Sequence, residues 1–122
     1  MRHRKGNSKL SLPTDQRLAL LRSQLRSVLL QGKINTTLHR ARATARLVDR
    51  CIQLGKNPTL AQRRMIYDLV QDRDLVKKVC VDISPRFAAK SGGYARVLKM
   101  GKRLGDGAEV ALLTISEHRQ AA

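Results

Sequence analysis

The stretch YARVLKMGKRLGDGAEVALLTI, residues 94–115, decides the fold, because here the sequence changes from helical to strand character. Its two ends, Tyr94 to Met100 and Glu109 to Ile115, are rich in apolar and β-favouring residues. Between them lies a segment with three glycines and three charged residues, GKRLGDG at residues 101–107, a composition typical of a turn. The stretch therefore predicts an antiparallel β-hairpin with a basic tip.

Upstream of the hairpin, apolar residues recur at the spacing of amphipathic helices, separated by glycine, proline and capping residues. The first helix opens at Pro13-Thr14-Asp15 and ends at Gln31-Gly32, and its predicted buried stripe is Leu18, Leu21, Leu25, Val28 and Leu29. The elements that follow are a short strand at Lys33 to Thr36, a helix reaching about Leu54, a short helix after Asn57-Pro58-Thr59, and a fourth helix that begins at Asp72 or Asp74 and stops at Ser84-Pro85.

This order predicts an α+β fold with two layers: helix, short strand, three helices and the antiparallel hairpin. A chain of 122 residues has room for one modest core, so we expect a single domain. We place that domain at residues 13–116, between a basic N-terminal arm at residues 1–12 and a short tail at residues 117–122.

Charge is distributed unevenly along the chain, which has 25 Lys and Arg against 9 Asp and Glu, a formal net charge of +16. Residues 1–42 contain ten of these cations and a single acid, whereas residues 57–83 contain five cations and four acids. The arm has four cations and no apolar periodicity, so we expect it to become ordered only on a polyanion. The arm, first helix and hairpin are predicted to face nucleic acid, and the near-neutral third and fourth helices to face solvent or protein.

The composition also restricts how nucleic acid could be bound. Phe87, Tyr67 and Tyr94 are the chain's three aromatic residues, too few and too scattered for a base-stacking platform. Arginine and lysine contacts to phosphates remain as the main mode of recognition. The alternative, that the helical arginines are only solvated faces, is weakened by the near-absence of acids in the first 42 residues.

Enzymatic and metal-binding roles have little support in the sequence. Asp68, Asp72 and Asp74 lie beside arginines at a helix junction and are typical of caps and surface ion pairs. Cys51 and Cys80 lie in apolar helical stripes without metal-ligand spacing, so we expect two core residues in a reducing compartment. We predict no catalytic residues, no metal, no cofactor, no small-molecule substrate and no membrane span.

Several motifs resemble one known family. They are Met1-Arg2-His3-Arg4-Lys5 at the start, residues 33–42 (KINTTLHRAR), Pro85-Arg86-Phe87, residues 92–99 (GGYARVLK) and Gly105-Asp106. Together they are similar to the bacterial large-subunit ribosomal protein seventeen family, and the match runs in order from residue 1 to about 115. The resemblance implies an α+β protein of the large ribosomal subunit that binds ribosomal RNA near the nascent-chain exit region, with no enzymatic activity and no cofactor.

The resemblance also implies which residues contact RNA. In the family the basic arm and first helix engage ribosomal RNA, which corresponds here to Arg2, His3, Arg4, Lys5, Lys9, Arg17, Arg22 and Arg26. Further candidates lie in family motifs or in acid-poor segments: Lys33, Arg40, Arg42, Arg86, Lys90, Arg96, Lys99, Lys102 and Arg103. The implied partners are large-subunit ribosomal RNA and neighbouring large-subunit proteins, in a ribosome of the cytoplasm or of an organelle. The alternative function is a free nucleoid-type or regulatory DNA-binding protein.

Overall fold

The computed structural model describes residues 9–115, and its secondary structure follows the predicted order. The helices are α1 (Thr14–Gln31), α2 (Leu38–Gly55), α3 (Leu60–Val70) and α4 (Arg73–Lys78), and the strands are β1 (Lys33–Thr37), β2 (Ala95–Lys102) and β3 (Glu109–Ile115). A π-helical turn, Val79–Ile83, and a 3-10 turn, Ser84–Phe87, extend α4 beyond the predicted stop. The predicted α+β class is confirmed.

The three strands form one antiparallel sheet in the order β1-β3-β2, so the short first strand pairs with the second strand of the hairpin. Ile34 of β1 and Val97 of β2 both lie opposite Leu113 of the central strand. A bulge between Lys99 and Gly101 shifts the pairing of β2 by one residue. The bulge brings Lys102 to the same side of the sheet as Lys99, although the two are three positions apart.

One face of the sheet packs on α2 and the other is open. The covered face contributes Ala111 and Leu113, both fully buried, and the partly buried Ile34 and Val97 to the core. Lys33, Asn35, Arg96 and Leu98 alternate with these residues and are exposed. The helices thus form the second layer of the predicted two-layer fold, on the covered face of the sheet. Cationic side chains lie along the open face.

The first helix buries only the C-terminal half of its predicted stripe. Leu25, Val28 and Leu29 are buried, as the periodicity predicts. The prediction for Leu18 is wrong, since 51% of this residue is exposed, and Leu21 is half-buried. The reason is that the core lies beneath the C-terminal half of α1, where the helix meets α2 and the end of α3, and the N-terminal turns extend past it.

Two hydrogen bonds join α1, β1 and α2. The Gln24 side-chain amide donates to the Thr36 hydroxyl (2.9 Å), and the buried Thr44 hydroxyl donates to the Gln24 carbonyl oxygen (2.7 Å). Because each polar group in this contact has a partner, its burial does not carry the full cost of desolvation. The bonds fix β1 and α2 to α1, and so hold in place the strand that carries Lys33.

Both cysteines are core residues with free thiols, as the sequence predicts. Cys51 on α2 is fully buried, and desolvation raises the pKa of its thiol to about 12, although the Arg50 charge opposes the rise. A thiol with this pKa is protonated at neutral pH. It is therefore a poor nucleophile and behaves as a small apolar side chain.

Candidate nucleic-acid interface

The β2 strand presents three of the predicted contact residues to solvent. Arg96, Lys99 and Lys102 are all exposed, Arg96 on the open sheet face and the two lysines on the other side where the strand extends past the helical layer. Lys102 lies opposite Glu109 on β3. The sheet holds their spacing fixed, so Arg96 can meet phosphates at one face of this edge strand and the two lysines at the other.

The hairpin tip is stabilised by an ion pair between its own residues. The Arg103 guanidinium donates to both carboxylate oxygens of Asp106, at 3.1 and 2.5 Å, and the Ala108 amide donates to the same carboxylate at 3.2 Å. These hydrogen bonds, those from Arg103 above all, hold the pKa of Asp106 well below its usual range. Leu104, between them in sequence, is 98% exposed. The tip is thus an ordered turn that presents one apolar side chain.

A second group of predicted contacts lies where β1 runs into α2. Lys33 at the start of β1 is exposed, and so are Arg40 and Arg42 in the first turns of α2. Arg46 and Arg50 continue the row of Arg42 at four-residue spacing and are exposed as well. The residues predicted from the sequence did not include these last two, although their spacing is the signal that places all three arginines on one helix face.

The predicted contacts on α1 are less accessible. Arg17, Arg22 and Arg26 are half-buried. Arg26 donates from Nε to the Val70 carbonyl (2.6 Å) and from Nη2 to the Gln71 carbonyl (3.3 Å), so its guanidinium caps the C-terminal end of α3. Its role as an RNA contact stays a prediction, and the structure adds a role in holding two helices together.

Two predicted contacts near the end of the helical region take part in other interactions. Arg86 is exposed, and its Nη2 donates to both carboxylate oxygens of Asp82, each at 3.0 Å. Lys90 is half-buried, and its backbone carbonyl accepts hydrogen bonds from the Lys56 ammonium and from the Tyr94 hydroxyl. Lys56 also lies 4.6 Å from the centre of the Tyr94 ring, a cation–π contact.

Of the arm, the structure describes residues 9–12. Lys9 is exposed, and its carbonyl accepts a hydrogen bond from the Leu12 amide in the turn before α1. Arg2, His3, Arg4 and Lys5, and the predicted ordering of the arm on a polyanion, lie outside the described residues.

The described region offers little for other kinds of chemistry. Within residues 9–115, no group of three or more His, Cys, Asp or Glu side chains could hold a metal ion. In the same range, none of the helices is long and apolar enough to cross a membrane.

Comparison with known proteins identifies the family. A model described as ribosomal protein L17 matches residues 20–116. The chain belongs to this family. A relative from Dictyoglomus thermophilum, named large ribosomal subunit protein bL17, is 47% identical over 115 residues, which are 94% of this chain and 99% of the relative. Proteins of the same name from Dictyoglomus turgidum and Clostridium tetani are each 46% identical, over 93% and 90% of this chain and 97% of each relative.

Membership of the ribosomal protein L17 family confirms the resemblance seen in the motifs. The family is a structural component of the ribosome and not an enzyme, which agrees with the predicted absence of catalytic residues. It also favours the ribosomal reading over the DNA-binding alternative. The exposed cations of the described region are therefore best considered as candidate contacts to ribosomal RNA.

Proposed function

We propose that this structural constituent of the large ribosomal subunit binds ribosomal RNA through phosphates, using the arm of residues 1–12, α1 and the hairpin. The supporting observation is the exposure of predicted contacts on acid-poor elements. These residues are Lys9, Lys33, Arg40, Arg42, Arg96, Lys99 and Lys102. A protein with +16 formal charge releases condensed counterions when it neutralises phosphates, which supplies much of the binding free energy.

The domain and the arm are proposed to contribute differently to RNA binding. The domain of residues 13–116 positions cations on strands and helices, which favours recognition of a folded RNA shape. The arm adds charge without a core of its own and orders on the RNA. The tail of residues 117–122 is assigned no contact. Through these contacts the protein takes part in subunit assembly and translation without catalysing a reaction.

The proposed location is near the nascent-chain exit region, with neighbouring large-subunit proteins as further partners. Support for this location comes from the resemblance of the five motifs to the ribosomal protein family. The rival function, a free nucleoid-type or regulatory DNA-binding protein, predicts a pool of protein on the chromosome. Sucrose-gradient fractionation of a lysate separates the two, since a ribosomal protein co-migrates with high-salt-washed large subunits.

The mechanism is tested by the salt dependence of binding to large-subunit ribosomal RNA. Replacing Arg2, Arg4 and Lys5 together by Gln should reduce the log–log slope by about two to three, at roughly 0.7–0.9 per lost phosphate contact. For a comparison at equal charge, Lys5→Gln is measured against Lys77→Gln on α4. Equal slope changes for these two single variants would mean that binding follows net charge alone.

A further inference from the structure

The three aromatic side chains of the chain have different environments. Phe87 and Tyr94 are buried and pack edge to face, with ring centres 5.3 Å apart and planes at 66°. The Tyr94 hydroxyl donates to the Gln53 side-chain oxygen at 2.5 Å, so this polar group of a buried side chain has a partner. Tyr67 on α3, in contrast, is 43% exposed. It is therefore the aromatic ring that remains available to a ligand.

Tyr67 lies in a cleft between α3 and α4 with a volume of about 430 Å3. The lining residues are Arg63, Arg64, Tyr67, Asp68, Arg73 and Val76. This volume falls within the range of small-molecule sites, roughly 300–1,000 Å3. The cleft combines an aromatic ring and the apolar Val76 side chain with three guanidinium groups; aromatic rings and guanidinium groups together bind bases and phosphates of single-stranded nucleic acid.

The charge of this cleft differs from that of its segment. Residues 57–83 are nearly neutral, but three of their four acids do not line the cleft. Asp72 accepts from the Asp74 amide at the start of α4, and Asp82 pairs with Arg86. Arg63, Arg64 and Arg73 thus face a cleft whose lining contains one acid, Asp68. The cleft keeps an excess of positive charge.

We propose that this cleft binds an unstacked nucleotide of RNA, with the base on the Tyr67 ring and the flanking phosphates on Arg63, Arg64 and Arg73. The proposal rests on the proposed RNA-binding function and adds a second contact region on the side of the molecule that the charge count assigned to solvent or protein. Three arginines and one acid favour a polyanion with an aromatic face over an uncharged peptide.

The test uses the full chain with three fluorescein-labelled probes: single-stranded decauridylate, a ten-base-pair RNA duplex and decaglutamate. Stacking contributes about 1–3 kcal/mol per base by alanine substitution, so Tyr67→Ala should weaken decauridylate binding roughly 5- to 160-fold. Tyr67→Phe keeps the ring and should remain within about two-fold of wild type. Duplex and decaglutamate binding should change little in either variant, because neither probe offers an unstacked base.

A charge-matched pair of variants tests the arginines. Arg64→Gln should reduce the decauridylate salt slope by about 0.7, at roughly 0.7 per contact to a single strand. Lys77→Gln on α4 removes one exposed cation that does not line the cleft, so it is the control at equal charge and should leave the slope nearly unchanged. Thermal unfolding of each variant shows whether it is folded. Photocrosslinking of wild type to 5-iodouridine decamers, with mapping by mass spectrometry, locates the base without any substitution.

Several results would overturn the proposal. One is a wild-type protein that does not bind decauridylate at low salt, and another is a Tyr67→Ala affinity within two-fold of wild type. Equal losses for decauridylate and decaglutamate would identify an acidic protein segment as the occupant, and crosslinks confined to other residues would exclude the cleft. If wild type binds large-subunit RNA normally in these cases, the proposed function stands and only the cleft proposal fails.

Discussion

Two regions of the molecule contain the same kinds of cationic side chains in different roles. One is the helix corner, where α1 meets α3 and α4, and the other is the exposed strand β2. In the helix corner, Arg26 donates to the last carbonyls of α3, and Lys78 donates to the Leu30 carbonyl near the end of α1 (3.1 Å). On β2, Arg96, Lys99 and Lys102 project into solvent. The first group stabilises helix ends, and the second group is available to an external anion.

This difference shows that a net charge of +16 is not a count of RNA contacts. A cation bonded to a helix C-terminus already interacts with the partial negative charge there, and withdrawing it would leave carbonyls without partners. An exposed cation on a strand loses only hydration and counterions when it meets a phosphate. Substitutions in the two regions should therefore change different measured quantities.

The largest effect is expected for the triple replacement of Arg96, Lys99 and Lys102 by Gln. The log–log salt slope of binding to large-subunit RNA should fall by about two to three, because each lost phosphate contact contributes roughly 0.7–0.9. The free energy of unfolding should stay within about 0.5 kcal/mol of wild type, as is usual at exposed positions. A normal slope together with a loss of stability would reverse the roles assigned to the two regions.

In the helix corner, Arg26→Gln should lower the free energy of unfolding by roughly 1.5–3 kcal/mol, the usual contribution of hydrogen bonds to a charged group. Urea unfolding measures this loss. Arg17→Gln, also on α1 and half-buried, is the control and should cost about 0.5 kcal/mol or less. If the two variants are equally stable and Arg26→Gln instead reduces the salt slope, Arg26 belongs with the RNA contacts.

The local elements of this fold could be predicted because each has its own signal. Helix α1 ends at Gly32 with φ 84°, a conformation suited to glycine, and Thr59 caps α3 by accepting from the Gln62 amide. The pairing of β1 with β3 could not be read in the same way. It joins residues about 80 positions apart, such as Lys33 and Thr114, and depends on how α2 packs across both strands.

The candidate contact residues could also be predicted only in part. Exposure of Arg42 and Arg96 follows from their positions off the apolar pattern. The bond from Arg26 to Val70 spans 44 residues, so no local pattern indicates it. The same limit applies to Tyr67, because no local pattern in the sequence indicates that this ring is exposed while Phe87 and Tyr94 are buried.

A smaller effect separates two adjacent lysines of α4. Lys78→Gln should lower the free energy of unfolding by roughly 0.5–1.5 kcal/mol, because the Leu30 carbonyl loses its donor. Lys77→Gln removes the same charge from an exposed position and should stay within about 0.5 kcal/mol of wild type. Neither change should alter the salt slope of RNA binding. A slope that falls for Lys78→Gln would place this lysine among the exposed contacts.

The smallest effect is expected for Arg103 of the hairpin. Like Arg26 and Lys78 of the helix corner, this cation is bonded to another group of the protein. Arg103 is the largest cause of the low pKa of Asp106, so Arg103→Gln should raise that pKa toward the ordinary value of about 3.9. The rise should be incomplete, since the Ala108 amide still donates to the carboxylate. Lys102→Gln is the matched control and should leave the pKa of Asp106 unchanged.

An NMR titration of the Asp106 side chain and the Ala108 amide measures both values. Because the folded-state pKa lies below the unfolded one, the carboxylate stabilises the turn above the unfolded pKa, and this contribution is lost as the pH falls through the folded pKa. In Arg103→Gln the tip should therefore lose order at a higher pH than in wild type. A pKa that stays low without Arg103 would assign the effect to the turn backbone, and Arg103 would then join Lys102 as a cation free to bind phosphate.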